Sequence, residues 1–405
     1  MNVDLGCKES ILDTAAYFAR LREGGDVQWS DVHNGWAVLS HSEVEAGFRD
    51  MENLSADRSG TFRRAAEGRS EGFARATELL TGWMNFRDPP AHTRLREPVK
   101  SALTPRAVSR LEADVEVLVD GVLDEFDGMN VDLMEAFCRP VPALVIAAIL
   151  GVDPEERWRF QEWSDDLAKV VFSMAPGSVE EGPVSEATAA FVDFFSRLIE
   201  RERVEPSGSL LTSIVHSPIS DLSHMELVGA CTLLLFGGHE TTTMLLNNAL
   251  AILIEQPDSA RWLRDHSEAM PAAVEEFMRT VGPARTMPRK VAQTHERGGK
   301  ELRAGQNVFL SIASANHDPV IFTDPARLDL TRDPNPQLGF GWGLHFCLGA
   351  NLARLEARVA LRRLLQRYPS LEAVQPVPTI WGGIMGYGRR ELLVALNSQP
   401  AAHAR

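Results

Sequence analysis

One segment of the sequence, Leu222–Glu255, limits the possible folds more than any other. Its residues keep a helical pattern throughout, and Pro257 follows as a helix-ending signal. Helices in globular proteins average about 10–14 residues, so a helix of this length crosses an entire domain. We therefore expect a mainly helical protein in which a functional element lies against the middle of this helix.

Helical periodicity also dominates the rest of the chain. The further predicted helices are Ser10–Arg22, Thr93–Leu103, Pro105–Glu125, Asp132–Leu150, Pro154–Phe172, Glu186–Glu202, Asp258–Asp265, Ala272–Arg279 and Gly349–Tyr368. Between Gly60 and Arg87 the pattern is irregular and rich in apolar residues, which is more typical of a functional loop than of a disordered insert. No repeat or flexible linker divides the chain, so we predict a single domain over residues 1–405.

A few segments favour strands. The dipeptide Asn34-Gly35 predicts a hairpin between Val27–Val32 and Trp36–Leu39, because this pair suits the positive φ angles of a tight turn. A second small sheet is predicted from Arg289–Val291, Glu301–Leu302 and Val308–Ser311, and Glu391–Leu396 could join one. The expected fold class is mainly α, with small β-sheets.

Composition excludes several classes of protein. The formal net charge of −15 argues against a nucleic-acid or anionic-membrane binder, since both need a positive surface. The N-terminus carries no targeting signal, and the most apolar stretch, Leu227–Gly238, is shorter than the roughly 20 residues of a membrane span. The 4 cysteines form no CxxC pair and indicate reduced thiols. We expect a soluble cytoplasmic protein.

The sharpest local signal is the segment Phe340–Gly349, FGWGLHFCLG, which contains Cys347. The other cysteines, Cys7, Cys138 and Cys231, are expected to be small buried hydrophobic residues. Around Cys347, glycines let the backbone bend about the sulfur, and the N-terminus of the following helix favours a thiolate. A single metal-ligating thiolate without other soft ligands nearby is typical of haem iron.

This loop resembles the FxxGxxxCxG ligand loop of the bacterial cytochromes P450, and the resemblance extends over nearly the whole chain. It implies the cytochrome P450 fold and one haem b, with Cys347 as the axial iron ligand and Gly349 allowing the haem to approach the helix. The haem would lie between the 222–255 helix and the 340–368 loop and helix.

A second motif, Gly237–Thr242, lies in the middle of the long helix. Small residues there leave room for a ligand, and a Thr241 hydroxyl can replace backbone hydrogen bonding and open the helix locally. A packing role is the usual interpretation of isolated threonines, and a metalloprotease HExxH motif is excluded because residue 243 is Thr. The resemblance makes Glu240 and Thr241 the acid–alcohol pair of the oxygen site, unlike the Arg and Pro of the peroxide-using fatty-acid branch.

The resemblance also assigns residues that hold the haem. Glu276 and Arg279 share a helical face, an arrangement that is usually a weak surface salt bridge; in the family they form a buried structural triad with a later arginine, here Arg327. The predicted partners of the haem propionates are His92, Arg96, Arg289 and His345. Two residues depart from the family pattern, His317 in place of Arg and Asn351 in place of Pro.

Family topology places a mainly apolar substrate pocket on the oxygen side of the haem. Its predicted lining is Trp83, Met84, Leu167, Val171, Met174, Leu233, Phe236, Gly237, Val281 and Ile384, although ordinary core packing is the better explanation for about half of them. Arg285 is expected to face solvent; facing inward, it would favour a carboxylate substrate.

The predicted function is a monooxygenase that inserts one atom of O2 into a small-to-medium apolar molecule. The chain carries no dinucleotide-binding motif or iron–sulfur cysteine cluster, so electrons are expected from NAD(P)H through a separate ferredoxin and ferredoxin reductase. Arg354, Arg358 and Arg362 recur at helical spacing and predict a basic docking stripe, which Arg110 and Lys100 could extend. One alternative is a haem-thiolate enzyme that catalyses coupling, dehydration or nitration. The other is a non-catalytic haem protein. We expect a monomer.

Overall fold

The structure is a computed structural model that describes residues 2–156, 159–171, 179–377 and 381–397. The chain forms two compact units. The first comprises Met1–Ser55, Leu111–Val141 and Thr241–Arg405, and the second comprises Ala56–Arg110 and Pro142–Glu240. Within the described ranges, no helix is both long and apolar enough to cross a membrane. The single domain over residues 1–405 stays a prediction.

The described helices that lie wholly in the first unit have between 4 and 18 residues. They are α1 (Lys8–Leu12), α2 (Thr14–Arg22), α3 (His41–Arg49), α8 (Glu112–Asp124), α14 (Pro257–Asp265), α15 (Met270–Val281), α16 (Ile312–Ala315) and α17 (Ala350–Arg367). Where one helix was predicted over Ser10–Arg22, Asp13 separates α1 from α2, because its carboxylate accepts the Ala16 N–H as the N-cap of α2.

The strands of the first unit that the structure describes form one larger sheet and three smaller ones. They are β1 (Val27–Ser30), β2 (Gly35–Val38), β3 (Leu54–Ser55), β4 (Asn130–Asp132), β5 (Thr286–Val291), β6 (His295–Arg297), β7 (Lys300–Leu302), β8 (Asn307–Ser311), β9 (Ser370–Ala373), β10 (Trp381–Gly382), β11 (Tyr387–Gly388) and β12 (Leu393–Asn397). The larger sheet has the order β1-β2-β8-β5-β3, and a three-stranded sheet has the order β4-β12-β9. The other two are the hairpins β6-β7 and β10-β11.

The hairpin of β1 and β2 is confirmed, but its turn differs from the prediction. Ser30 pairs with Gly35, so Gly35 belongs to the strand, and only Asn34 has a positive φ, 46°. A Cβ on Gly35 would lie 2.8 Å from the Asn307 carbonyl oxygen and 2.8 Å from the Phe309 ring. Glycine is required there because β2 runs parallel to β8 at close approach. The prediction of a separate second sheet was therefore wrong, because β5 and β8 belong to the same sheet as the hairpin.

The second unit is helical. Its helices are α4 (Ser59–Ala66), α5 (Glu71–Thr81), α6 (Ala91–Ala102), α7 (Pro105–Ser109), α10 (Arg159–Val171), α11 (Glu181–Val204) and α12 (Leu210–Val215). The irregular loop predicted between Gly60 and Arg87 was wrong, because α4 and α5 occupy most of it. Ser70 caps α5 by accepting the Phe73 N–H, and the buried face of α5 includes Phe73, Leu79 and Leu80.

Two helices contribute residues to both units. Helix α9 (Pro140–Ile149) follows a π-helical turn at Met134–Cys138, so the predicted Asp132–Leu150 helix is interrupted. Helix α13 (His224–Glu255) has 32 residues without a break, which confirms the long helix predicted from the sequence.

The predicted basic stripe on α17 is neutralised by α8. The two helices run parallel, and ion pairs join them at successive turns: Arg358–Glu112, Arg362–Glu116, Arg363–Asp120 and Arg367–Asp124. Arg354, earlier on α17, is held through two nitrogens by Glu275 of α15. In the second unit, Lys100 pairs with Glu97. The three arginines of the stripe are therefore already engaged by carboxylates of the same unit, and each partly exposed pair adds at most about 1 kcal/mol.

We predict opposite effects for two glycine substitutions in the first unit. Gly35→Ala would lower the free energy of unfolding by about 1–3 kcal/mol, because its methyl group overlaps the Asn307 carbonyl and the Phe309 ring. Gly121→Ala would raise it by about 0.5–1 kcal/mol, since this exposed position in α8 has no neighbour within 4 Å. Urea unfolding of both variants measures the difference; destabilisation of equal size in both would contradict the packing account.

Candidate functional site

The Cys347 loop has the backbone geometry that its glycines suggested. Gly341 and Gly343 have φ angles of 68° and 70°, a region that residues with a side chain rarely adopt. The Cys347 N–H donates to the Phe340 carbonyl at 2.8 Å, which closes the loop just before α17 begins at Ala350. The Cys347 thiol is exposed at the N-terminal end of this 18-residue helix, where the helix dipole favours negative charge.

Two of the other cysteines have the opposite environment. Cys138 and Cys231 are fully buried, and burial raises the pKa of both thiols, that of Cys231 to about 12. Both thiols therefore stay protonated and are unsuited to ligating a metal. Cys7, at the N-cap of α1, accepts the Ser10 N–H. Among the four cysteines, only Cys347 is exposed.

The middle of α13 presents a stripe of small and uncovered residues. Gly237 and Thr241 are exposed and Leu233 is half-buried, at helical spacing on one face, whereas most residues of α13 between 227 and 251 are buried. A Cβ on Gly237 would meet no atom within 4 Å. Beside this stripe, Glu240 is buried, and its Oε1 lies 3.6 Å from Nε2 of the buried His239. A titratable carboxyl thus adjoins an accessible hydroxyl on a helix face with room for a ligand.

The residues present suit a flat iron chelate. Cys347 supplies one accessible sulfur, and a Cβ on Gly349 would meet no atom within 4 Å, so a flat group has room to approach the start of α17. In the part of the chain that the structure describes, no group of three or more His, Cys, Asp or Glu side chains is placed to hold a metal ion. A single thiolate ligand fits an iron that brings its own nitrogen ligands.

A buried carboxylate organises the chain that leads into the Cys347 loop. Glu276 accepts two hydrogen bonds from Arg279, at 2.7 and 2.8 Å, and both side chains are fully buried. Further donors to Glu276 are the Asp329 N–H at 2.9 Å, Arg332 Nε at 3.1 Å and Asn335 Nδ2 at 3.1 Å. Arg279 also donates to the backbone carbonyls of Asn316, Pro325 and Arg327.

The third member of this triad is Arg332, so the prediction of Arg327 was wrong. Arg327 contributes only its carbonyl oxygen, and its side chain is exposed. The side chain that reaches Glu276 is that of Arg332, which is largely buried at 11% exposure. The signal for Arg332 was present in the sequence as a second arginine shortly after the Asp324-Pro325 motif.

The four predicted propionate partners lie in both units. In α6, His92 is buried, and burial together with the nearby Arg96 charge lowers the pKa of His92 to about 4, so its imidazole is neutral at neutral pH. Arg96 follows one helical turn later. In the first unit, Arg289 lies on β5 with its guanidinium 5.7 Å from the centre of the Phe48 ring, and His345 is half-buried in the Cys347 loop. Their contact with a propionate stays a prediction.

The predicted pocket residues are mostly buried. Those with little exposure are Trp83, Met84, Leu167, Val171 and Phe236, while Leu233, Val281 and Ile384 are half-buried and Gly237 is exposed. Trp83 donates from Nε1 to Thr232 Oγ1 at 3.1 Å and packs against Phe236, which is also typical of a core residue. Met174 lies outside the described residues.

The surroundings of Arg285 and of the two residues that depart from the family pattern are visible in the structure. Arg285 does not face solvent: it is 2% exposed, and its Nη2 donates to the Ser10 carbonyl at 2.6 Å. His317, the departure from the family pattern, is buried, and its Nδ1 lies 2.9 Å from the Ala313 carbonyl oxygen. Burial lowers the pKa of His317 to about 3, so it acts as a neutral hydrogen-bonding residue. Asn351, the other departure, is exposed.

Comparisons with known proteins agree on one family. The family model described as Cytochrome P450 matches residues 166–381. Cytochrome P450 CYP107DY1 of Priestia megaterium is 32% identical over 381 residues, 91% of this chain and 92% of the relative. The 6-deoxyerythronolide B hydroxylase of Saccharopolyspora erythraea is 34% identical over 402 residues, 96% of each chain. The solved structure of CxnD, a cytochrome P450 for C–S bond formation in chuangxinmycin biosynthesis, has a TM-score of 0.85 and 30% identity, covering 97% of this chain and 96% of CxnD.

We predict that the Glu276 cluster depends on Arg332 and not on the Arg327 side chain. Arg332→Met would lower the free energy of unfolding by about 1–3 kcal/mol, because it takes a charged donor from a buried carboxylate. Arg327→Met, the matched control, would change it by less than about 0.5 kcal/mol, since that side chain is exposed. Denaturant unfolding measures both; a larger loss from Arg327→Met would restore the original assignment.

Proposed function

The chain belongs to the cytochrome P450 family, and from this premise we propose how its residues support the reaction. It has the cytochrome P450 fold, binds haem b and is a haem-thiolate monooxygenase, an oxidoreductase that incorporates oxygen from O2 into an organic substrate. The haem supplies the redox chemistry that activates O2. The proposals concern the site residues, the class of substrate and the source of electrons.

We assign the haem iron to the sulfur of Cys347. The observation that carries this proposal is the contrast among the cysteines: Cys347 is exposed in a glycine-shaped loop at a helix N-terminus, whereas Cys138 and Cys231 are buried and protonated. Gly349 would leave room for the haem against α17. The propionates would accept hydrogen bonds from four residues: His92, Arg96, Arg289 and His345. Because His92 is neutral, it would act as a single N–H donor, leaving the positive charges to the arginines.

On α13, we propose that Glu240 and Thr241 deliver protons to the oxygen site. The exposed Thr241 hydroxyl both donates and accepts a hydrogen bond, so it can hold a water molecule and pass a proton at Oγ1. The adjacent Glu240 carboxyl, buried and close to His239, would replenish that proton. Gly237, one turn earlier, keeps this helix face open because it has no side chain.

The substrate is proposed to be a small-to-medium apolar molecule. The candidate lining combines the aromatic and aliphatic side chains of Trp83, Phe236, Leu167 and Val171 with few polar groups, which suits recognition by shape and apolar contact. The buried position of Arg285 argues against a carboxylate substrate, because its guanidinium donates to the Ser10 carbonyl within the first unit.

We propose that electrons arrive from NAD(P)H through a separate ferredoxin and ferredoxin reductase, and that the protein acts as a cytoplasmic monomer. The stripe of Arg354, Arg358 and Arg362 no longer supports a docking site, since carboxylates of α8 and α15 neutralise it. Arg358→Glu would place one carboxylate beside another at Glu112. This variant would therefore change the stability of the protein more than the docking of a redox partner.

A second candidate is a haem-thiolate enzyme whose product is a new bond between substrate atoms rather than a hydroxylated molecule. The likeness to CxnD, described for C–S bond formation, favours keeping this alternative. The Glu240–Thr241 pair favours oxygen activation over a non-catalytic haem protein. Mass analysis of the product distinguishes the two candidates, because hydroxylation adds an oxygen atom derived from O2.

We predict that the ferrous–CO complex shows the red-shifted Soret band of thiolate ligation and that Cys347→His loses it. An imidazole ligand donates less charge to iron than a thiolate, so the Soret band of the ferrous–CO complex would lose its red shift. Cys231→Ala is the matched control and would keep the shifted band, because the Cys231 thiol is buried and protonated. Persistence of the band in Cys347→His would refute the ligand assignment.

We predict that Thr241→Ala keeps haem and substrate binding but loses coupling between electron use and product. With ferredoxin, ferredoxin reductase and a substrate found by spectral screening, product per NADPH oxidised would fall about tenfold or more, and hydrogen peroxide would rise, because the variant lacks the hydroxyl that positions the proton. Thr241→Ser, which retains a hydroxyl, would stay close to the unsubstituted enzyme. Unchanged coupling in Thr241→Ala would rule out the role given to Thr241.

A further inference from the structure

The turn at residues 383–386, between β10 and β11, is held by contacts with several parts of the first unit. The Gly383 N–H donates to the Gly386 carbonyl at 3.0 Å and closes the turn. Its base is fixed from α13, where Asn248 Nδ2 donates to the Tyr387 carbonyl at 3.3 Å and to the Val281 carbonyl at 3.1 Å. The turn also carries Ile384, one of the predicted substrate contacts.

Arg285 contacts the turn, the adjoining strand β11 and the N-terminal segment of the chain. Its backbone N–H donates to the Met385 carbonyl at 3.0 Å. Its side chain lies with the guanidinium carbon 5.0 Å from the centre of the Tyr387 ring. Its Nη2 donates to the Ser10 carbonyl at 2.6 Å. Arg285 is thus a buried cation that joins the turn to the N-terminal segment of the chain.

The N-terminal segment also touches the turn directly. Ile384 packs against an apolar cluster that includes Val3, Leu5, Tyr17 and Phe18. A Cβ on Gly6 would lie only 3.2 Å from the Ile384 backbone nitrogen, so the two backbones are in close contact. The position of Ile384 therefore depends on a segment near the start of the chain, and Arg285 is the charged side chain that fastens the two together.

We propose that Arg285 is a positioning residue for substrate selectivity: it fastens the turn at residues 383–386 to the N-terminal segment and thereby sets where Ile384 meets the substrate. The inference rests on the proposed function, in which Ile384 lines the pocket. A buried guanidinium needs its acceptors, because the desolvated charge is costly without them. Removing the guanidinium would release β11 and the turn beside it from the N-terminal segment, while the Asn248 side chain and the Arg285 backbone hydrogen bond to Met385 remain.

A matched control exists in Arg22. This arginine also lies in the first unit and donates to backbone carbonyls, those of Ser314 and His317, each at 2.9 Å. Burial lowers the pKa of Arg22 just as it lowers that of Arg285. Arg22, however, fastens α2 to α16 and has no described contact with the turn. A general loss of stability would follow from either substitution, and a change in selectivity only from the one at Arg285.

The test compares two azoles that bind the ferric holoenzyme, imidazole and the bulky triaryl azole clotrimazole, by their difference spectra. We expect imidazole to reach the iron without touching the turn because it is small, and the aryl groups of clotrimazole to extend from the iron toward the turn. Arg285→Met is expected to raise the Kd ratio of clotrimazole to imidazole about tenfold, the scale of one lost hydrogen bond to a charged group. Arg22→Met is expected to leave this ratio unchanged.

Three results separate the possibilities. A higher ratio in Arg285→Met alone supports the proposal. An unchanged or lower ratio, or an equal rise in Arg22→Met, overturns it. Failure of the unsubstituted protein to bind either azole would instead count against the proposed function. Should Arg285→Met give no holoenzyme, Arg285→Lys, which keeps the charge but loses the planar fork, is measured with the same expected direction.

Discussion

The buried carboxylate of Glu276 is the interaction on which the Cys347 side of the molecule depends. An unpaired charge in the interior costs several kcal/mol, so the chain must bring donors to it. Two arginines, one amide and one backbone N–H meet there, and three of these donors come from the irregular segment Asp329–Asn335. That segment has little regular structure and leads directly into the Cys347 loop. The Glu276 carboxylate therefore fixes the segment from which the Cys347 loop begins.

Much of the fold could be predicted from local patterns. The 32-residue α13 followed from its unbroken periodicity and the proline after its end, and α17 began within one residue of its predicted start. Helix α5 was missed although it has a readable start, since Ser70 caps it and Glu71 follows. The joining of β2 to β8 could not be predicted, because the strands are far apart in sequence and the pairing leaves no local pattern beyond Gly35.

The candidate site shows the same division. Sequence motifs pointed to Cys347, Glu240 and Thr241 as candidates, because each proposed chemical role needs residues at fixed local spacing. Sequence patterns failed where the role of a residue depends on a contact with a residue that is distant in sequence. Arg358 and Arg362 share a helix face, as predicted, but that face meets the acidic side of α8, whose residues are 246 positions away. Arg285 faces inward because its acceptor, the Ser10 carbonyl, is 275 positions away. Periodicity tells which residues lie together on a face; tertiary packing decides what that face meets.

The parallel pairing of β2 with β8 has a consequence for the order in which the molecule forms. Trp36 of β2 donates from its indole nitrogen to Gln306, 270 positions along the chain. During synthesis the first hairpin leaves the ribosome long before β8 exists, so one edge of it has no strand to pair with while most of the protein is made. Contacts of such high sequence separation also slow folding, since the intervening chain must close first. The β1–β2 hairpin, although made before β8, can therefore complete its pairing only after the chain as far as β8 has been made.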